Sequence, residues 1–217
     1  MLGHYISVFK QNGFKFNTVY DVGACDGYGS VEFKSRVLHD AEFIVFEANP
    51  AHEQALKETG FRYFNKVLSN PGRGAVEFFS VKNTGDSYYK ENSAYYDNTG
   101  SVILQTVTLD QLIEEHTLPI PQLLKIDTQG SELDILSGAT KILGKTEMIM
   151  TELPIIEYNK GAPNISDYLA FFKNHDYIPV DITEIHRAEY TLLQLDILFV
   201  LREAKNKYLS PNIQIRV

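Results

Sequence analysis

Carboxylates and glycines recur in this chain where strands should end. The stretch Asp21-Val-Gly23-Ala-Cys-Asp-Gly27, with Gly29 close behind, follows an apolar run and precedes a helical pattern. Glycines there let backbone approach a ligand closely. The spacing is not G-x-G-x-x-G, which needs a glycine at position 25, and no Gly-Lys-Ser/Thr follows as in a P-loop. The phosphate cradles that those motifs build are therefore missing. Glu47 lies 26 residues after Asp21, at the expected end of the next strand. An acidic side chain there can accept both hydroxyls of a ribose. Residues 21–29 alone would fit a plain glycine turn of an α/β protein; with Glu47 in place, a cofactor site is the better reading.

A cofactor with a ribose, no pyrophosphate and cationic groups that suit an acidic turn points to S-adenosylmethionine. Its expected contacts are Asp21, Gly23, Ala24, Cys25, Asp26 and Gly27 in the turn, Glu47, Ala48 and Asn49 after the second strand, Val67 and Leu68, and Asp127. Methyl transfer from a sulfonium is an in-line displacement with a good leaving group, so positioning supplies much of the acceleration. An alcohol acceptor must also lose its proton. Lys125 and Asp127 alternate with Ile126 and share one strand face. Asp127, nearer the strand end, is the expected base or orienting group.

Glu132 and Glu152 are the other catalytic candidates. Glu132 either serves the site or simply opens a helix, whose dipole favours a carboxylate in the first turn. Glu152 ends an apolar strand before Pro154 and is read as a site residue rather than a solvated loop start. The acceptor is expected against Tyr88, Tyr89, Tyr95 and Tyr96, Lys125, Gln129 and His186. The tyrosines form either a lid over a polar ring or a surface loop. Lys125 contacts the acceptor or pairs with a carboxylate, as a buried lysine must. His186, read as lying in a loop, is either a base titrating near pH ~6.5 or merely exposed. Cys25 is either reactive at a helix start or a small filler of the turn, and the second is expected. No obligatory metal is expected, although Asp127, Glu132 and Glu152 offer hard oxygen ligands.

The elements that must position these residues read as an alternation of strands and helices. Residues 2–12 form an amphipathic helix within an N-terminal segment 1–16. "NTVYDVG", "EFIVFEANP", "FRYFNKVLS", "PQLLKIDTQG", "TEMIMTELP", "IPVDI" and "QLDILFVLRE" read as strands, and "GAVEFFSV" as an added hairpin strand. Helices are expected over residues 28–39, "PAHEQALKETG", "TLDQLIEEHT" with Thr108 as its cap, "SELDILSGATKILG" with Ser131 as its cap, and "ISDYLAFFKNHDY". Gly138 inside the fourth of these would cost about 1 kcal/mol. The pattern predicts an α/β fold with a mainly parallel sheet. Ligands bind over the carboxyl ends of such strands, where Gly23, Glu47, Asp127 and Glu152 all fall. Residues 82–101, rich in Asn, Gly, Ser and Tyr, are the least regular part.

The 217 residues carry 44% hydrophobic and 22% charged side chains, as expected of a globular chain able to bury a core without staples. They read as one domain, with no repeat or linker. A formal charge of −8 opposes binding to nucleic acid. No apolar run reaches the roughly 20 residues that span a bilayer. One cysteine and no leader-like start suggest a reducing, cytoplasmic setting.

The segments "DVGACDGYGS", "FIVFEANP", "TLDQL", "LLKIDTQGSELDILSGA" and "LDILFV", in that order, resemble the FkbM family of S-adenosylmethionine-dependent methyltransferases. The resemblance covers roughly residues 17–201, and residues 125–132 are its most specific part. It implies a Rossmann-like class I sheet of seven strands, the last antiparallel, and methyl transfer, commonly to oxygen, on sugars, polyketides and other small molecules. A small-molecule O-methyltransferase acting on a sugar or glycan is the leading expectation. The alternatives are a polyketide or nitrogen acceptor, or a non-catalytic module that binds the cofactor or a nucleotide. The chain is either free-standing or one module of a larger glycan-building protein. It departs from the family pattern at Cys25, usually Asn, at Asp26, usually apolar, and at Gln129, usually Glu.

Overall fold

A computed structural model describes residues 2–80, 85–96 and 99–209. In chain order the elements are α1 (Leu2–Gln11), β1 (Thr18–Val22), α2 (Tyr28–Arg36), β2 (Glu42–Glu47), α3 (Glu53–Glu58), β3 (Arg62–Asn65), β4 (Val67–Leu68), β5 (Ala75–Phe79), β6 (Ser101–Val107), α4 (Leu109–His116), β7 (Leu123–Ile126), α5 (Glu132–Ser137), β8 (Met148–Pro154), α6 (Ile165–Asn174), β9 (Tyr177–Ala188), β10 (Thr191–Leu201) and α7 (Arg202–Tyr208). Seven strands form one sheet in the order β3-β2-β1-β7-β8-β10-β9. The first five are parallel, and β10 runs antiparallel to both β8 and β9. This is the expected class I methyltransferase sheet, with β10 as its antiparallel last strand.

Alternation along the strands sends side chains to two faces. On one face Tyr20, Val22, Ile44, Phe46, Leu124, Ile126 and Ile149 pack with Leu109, Leu112, Ile135, Leu136, Tyr168 and Phe172 of α4, α5 and α6. On the other, Val19, Phe43, Leu123, Met148, Leu198 and Val200 pack with Ile6 and Phe9 of α1 and Ala204 of α7. The strands β1 and β2 are buried almost throughout because helices cover both faces. β9 is an edge strand, which is why it tolerates Pro179. No helix among the described residues is long and apolar enough to cross a membrane.

Five elements depart from the sequence reading. The third predicted strand divides after Asn65, and Val67–Leu68 joins a second sheet in the order β4-β6-β5. β6, which begins inside the irregular segment, was not foreseen; it pairs antiparallel with β5. The helix expected to run to Gly144 stops at Ser137, because Gly138 packs against a neighbouring chain segment. A Cβ there would lie 2.4 Å from the Ser69 carbonyl oxygen. Ser131 does not cap that helix; its hydroxyl donates to Thr128 Oγ1 at 2.8 Å. "IPVDI" is only the start of a twelve-residue strand, which places His186 on β9 rather than in a loop. α7 is an element the sequence did not signal.

Thr108 does cap α4. Its Oγ1 accepts from Gln111 N at 3.1 Å, and the Gln111 side chain accepts from Thr108 N at 2.8 Å. Thr108→Ala should therefore cost about 1 kcal/mol in urea denaturation. Gly138→Ala should cost more than Thr108→Ala, since backbone must move to admit its methyl group. Equal midpoints for both variants and wild type would contradict this account of the β4–α4–α5 junction.

Candidate cofactor cleft and transfer site

The sheet order reverses between β1 and β7, and the two strand ends lie side by side there. Gly23 leaves β1 with φ +83°, and a Cβ on it would sit 1.8 Å from the Asp127 carbonyl oxygen. Only glycine fits. Gly27, φ +78°, faces Thr59 so closely that a Cβ would lie 2.7 Å from its methyl group, whereas Gly29 meets nothing. Two of the three glycines are thus dictated by space. Gly23 N and Ala24 N both donate to the Phe46 carbonyl, at 2.9 and 3.1 Å, which ties the turn to β2.

Glu47 completes the turn. Its Oε2 accepts from Cys25 N at 2.8 Å and its Oε1 from Asn49 N at 2.7 Å. Each oxygen keeps a lone pair for a further donor. Burial raises the pKa of this carboxyl, against the lowering effect of the two N–H groups. Cys25 adopts φ +53°, and its Sγ lies 3.6 Å from His52 Nε2. Burial, with Asp26, Glu47 and Asp86 nearby, pushes its thiol up, which disfavours the thiolate.

A cleft of about 570 Å³, counted with its open mouth, lies over these strand ends. Gly23, Cys25, Glu47, Ala48, Val67, Leu68 and Asp127 line it. Asp21, Ala24, Asp26, Gly27 and Asn49 do not. Asp21 is buried beneath the turn, accepting from Ser30 Oγ at 2.5 Å and from Lys125 Nζ at 3.4 Å. Asp26 Oδ1 accepts from Tyr28 N at 3.0 Å. Asn49 caps a 3₁₀ turn at Pro50–His52 and donates to Asp86 Oδ2 at 2.6 Å. His52, Lys66, Phe78, Asp86, Ser87 and Thr128 also line the cleft and were missed. His52 and Lys66 sit within a few residues of recognised strand ends and were findable; Asp86 and Ser87 lie in a segment with no periodicity.

The tyrosine-rich segment comes over the sheet edge, but its rings are engaged. Ser87 Oγ donates to the Gln129 carbonyl at 2.9 Å, and Asn159 Nδ2 donates to the Tyr89 carbonyl at 2.8 Å. Tyr88 lines the cleft, with its hydroxyl 3.1 Å from Ser69 Oγ and 3.2 Å from Asp134 Oδ2. Tyr89 donates to Asp134 Oδ2 at 2.9 Å, and the Arg73 guanidinium lies 5.1 and 5.5 Å from the two ring centres. Tyr96 is a core residue, 1% exposed, donating to the Gly85 carbonyl. The side chain of Tyr95, like residues 81–84, 97 and 98, lies outside the described residues.

At the end of β7, Lys125 stands 3.4 Å from both Asp21 Oδ1 and Asp127 Oδ2. Burial opposes its charge, but the two carboxylates prevail and hold its pKa above the ordinary lysine value. Asp127 keeps 39% of its side chain exposed and takes Gln129 Nε2 at 3.3 Å. The same amide donates to Glu152 Oε2 at 2.9 Å. Burial, with Asp127, Glu132 and Asp196 close by, pushes the Glu152 carboxyl up to about 9. Glu132 does not reach the cleft. It is fully buried and accepts from Thr128 N at 2.9 Å, Gly130 N at 3.1 Å and the Tyr168 hydroxyl. It braces the turn after β7. His186 Nε2 lies 3.2 Å from Asp196 Oδ1 and 3.8 Å from Glu152 Oε1.

A second cavity, about 1140 Å³ with its mouth, opens on the α1–α2 face. Leu2, Val19, Phe33, Phe43, Leu123 and Met150 form its walls, and Asp21, Lys125 and Asp127 its polar end. Gly23, Cys25 and Asp127 are common to both spaces.

Residues 21–179 match the model of the Methyltransferase FkbM domain. Hexuronic acid methyltransferase AglP of Haloferax volcanii is 25% identical over 154 residues, which are 68% of this chain and 60% of that protein. The chain thus matches under two thirds of that relative's length. Among solved structures, methyltransferase FkbM of Methylobacillus flagellatus aligns with a TM-score of 0.52 at 14% identity, over 90% of this chain and 47% of that one. The fibrillarin/Nop5p complex gives 0.50 at 10% identity, over 90% and 80%; at such identities the likeness is one of fold. With its family model matched from the glycine turn to β9, the chain belongs to the FkbM methyltransferase family.

Proposed function

We propose that this protein transfers a methyl group from S-adenosylmethionine to a hydroxyl oxygen of a small-molecule acceptor, a sugar or glycan. The observation that carries the reading is the cleft at the β1–β7 reversal, where Gly23 leaves room for no side chain and Glu47 presents lone pairs. A ribose hydroxyl pair suits that carboxylate, and the glycine edge suits close approach of the cofactor's chain. When bound, the cofactor supplies an electrophilic methyl group on a good leaving group.

The protein's own residues then orient the acceptor and move one proton. Asp127 is the base: it is open to solvent, borders both spaces, and is steered by Lys125 and Gln129. Glu152 is buried, with one oxygen held by the amides of Gln129 and Gln194, and does not take that role. Glu132 is a positioning residue acting through the turn at residues 128–130. Tyr88, Val67 and Leu68 wall the cleft and exclude water. The sugar acceptor is supported by the relative that acts on a hexuronic acid, and no feature of the cleft favours nitrogen over oxygen.

Titration calorimetry with S-adenosylmethionine and S-adenosylhomocysteine should show micromolar binding. Glu47→Ala should weaken it at least tenfold, as expected when a charged hydrogen-bond acceptor is lost; Glu47→Gln, which keeps one acceptor oxygen, should fall between. Absence of binding to wild type would remove the methyltransferase reading. Asp127→Asn should lower kcat by about 10²-fold or more and leave cofactor affinity within twofold. Undiminished turnover in that variant would take the base role away from Asp127.

A further inference from the structure

We propose that Glu152, His186 and Asp196 form a site for one divalent transition-metal ion, Zn²⁺ or Mn²⁺, beside the transfer position. Three adjacent strands deliver these residues. Glu152 on β8 stands directly opposite Asp196 on β10, and His186 on β9 pairs with Gln194, two residues along. Two carboxyl groups facing each other across antiparallel strands repel when both are ionised, and a cation between them removes that repulsion. One ligand atom from each of the three residues lies within 4.8 Å of the others. The imidazole Nε2 is 3.2 Å from Asp196 Oδ1 and 3.8 Å from Glu152 Oε1. Nitrogen and oxygen ligands at about 2.0–2.2 Å from an ion have comparable mutual spacings, so small shifts would complete the set.

A second observation comes from Glu152 itself. Its side chain is only 8% exposed. Oε2 is occupied by the amides of Gln194 at 2.6 Å and Gln129 at 2.9 Å. Among the described residues, no hydrogen bond is made to Oε1, which faces the imidazole. A carboxylate oxygen facing a histidine and an aspartate, with its other oxygen fixed by two amides, has the orientation shell of a metal ligand. One imidazole with two carboxylates suits Zn²⁺ or Mn²⁺ better than Mg²⁺ or Ca²⁺, which favour all-oxygen shells. His186 is 34% exposed and Asp196 14%, so an ion has a way in and keeps open positions toward solvent.

The sequence expectation of no obligatory metal weighed Asp127, Glu132 and Glu152. This set shares only Glu152 with it and was hidden while His186 was assigned to a loop. The Gln129 amide links Glu152 to Asp127. An ion here would hold an acceptor hydroxyl near that base; this last role rests on the methyltransferase reading, while the site itself does not.

Calorimetry of chelator-treated protein with ZnCl₂ and with MnCl₂ tests the site. One equivalent of at least one ion should bind with micromolar or tighter affinity. His186→Ala, Glu152→Gln and Asp196→Asn should each weaken it by about tenfold or more. His186→Ala, a change at a partly exposed position, should keep the wild-type melting curve and so separates ligand loss from unfolding. Failure of both ions to bind, or binding that none of the three variants alters, would overturn the proposal. S-adenosylhomocysteine affinity measured on the same samples reports on the cofactor cleft alone, so either reading can fail without the other.

Discussion

The closeness of the β1 and β7 strand ends governs the rest of this molecule. Gly23 and the Asp127 carbonyl approach so tightly that one methyl group between them is excluded. This contact fixes where the crevice opens, since a doubly wound sheet binds ligands where its strand order reverses. It also fixes what can stand around the crevice. Glu47 must bend back to hold Cys25 N and Asn49 N, because the turn after Gly23 offers those groups no strand partner. Asp127 must carry its side chain outward, because its backbone is already spent on Gly23 and on the hydrogen bond from Asp127 N to the Val22 carbonyl at 2.9 Å.

Carboxylates around this contact differ in their partners. The deepest carboxylates are saturated: Asp21 by Ser30 and Lys125, and Glu132 by the turn at residues 128–130 and Tyr168. A buried ion without such partners would be costly. Glu47 and Glu152 are nearly as buried, whereas Asp127 is open to solvent. The proposed chemistry and binding rest on Asp127, Glu47 and the Glu152–Asp196 pair. Lys125 sits between the two regimes, and its charge is consumed by Asp21 and Asp127.

The sheet was legible because its signals are local. Apolar runs such as Phe43–Phe46 and the turn at Gly23 declare themselves within a few residues, as does the cap at Thr108. What escaped depends on distant partners. Val67 and Leu68 read as a continuation of β3, and only pairing with β6 shows otherwise. Gly138 reads as an interruption of a helix, and only the Ser69 carbonyl explains why the helix stops. Glu132 and Tyr168 are 36 residues apart, and nothing in either neighbourhood announces their bond. The tyrosines were legible as a cluster but not as individuals: Tyr96 enters the core and Tyr88 the cleft wall, because Arg73 and Asp134 claim some rings and not others. Asp196 drew no notice inside an apolar strand, since its meaning comes from Glu152 across the sheet.

Gln129 shows how a departure from a family pattern acquires a physical sense. The resemblance leads to glutamate at this position. Here the backbone is left-handed, φ +56°, and the side chain lies between Asp127 and Glu152. A third carboxylate between those two would add repulsion at an edge already crowded with negative charge. An amide does the reverse: its N–H groups reach Asp127 Oδ1 and Glu152 Oε2 together, and its oxygen lies 3.4 Å from Gln194 Nε2. The substitution removes a charge and supplies a tether, coupling the orientation of the solvent-open carboxylate to that of the buried one. In this chain two glutamines and a histidine therefore hold Asp127, Glu152 and Asp196 at this edge.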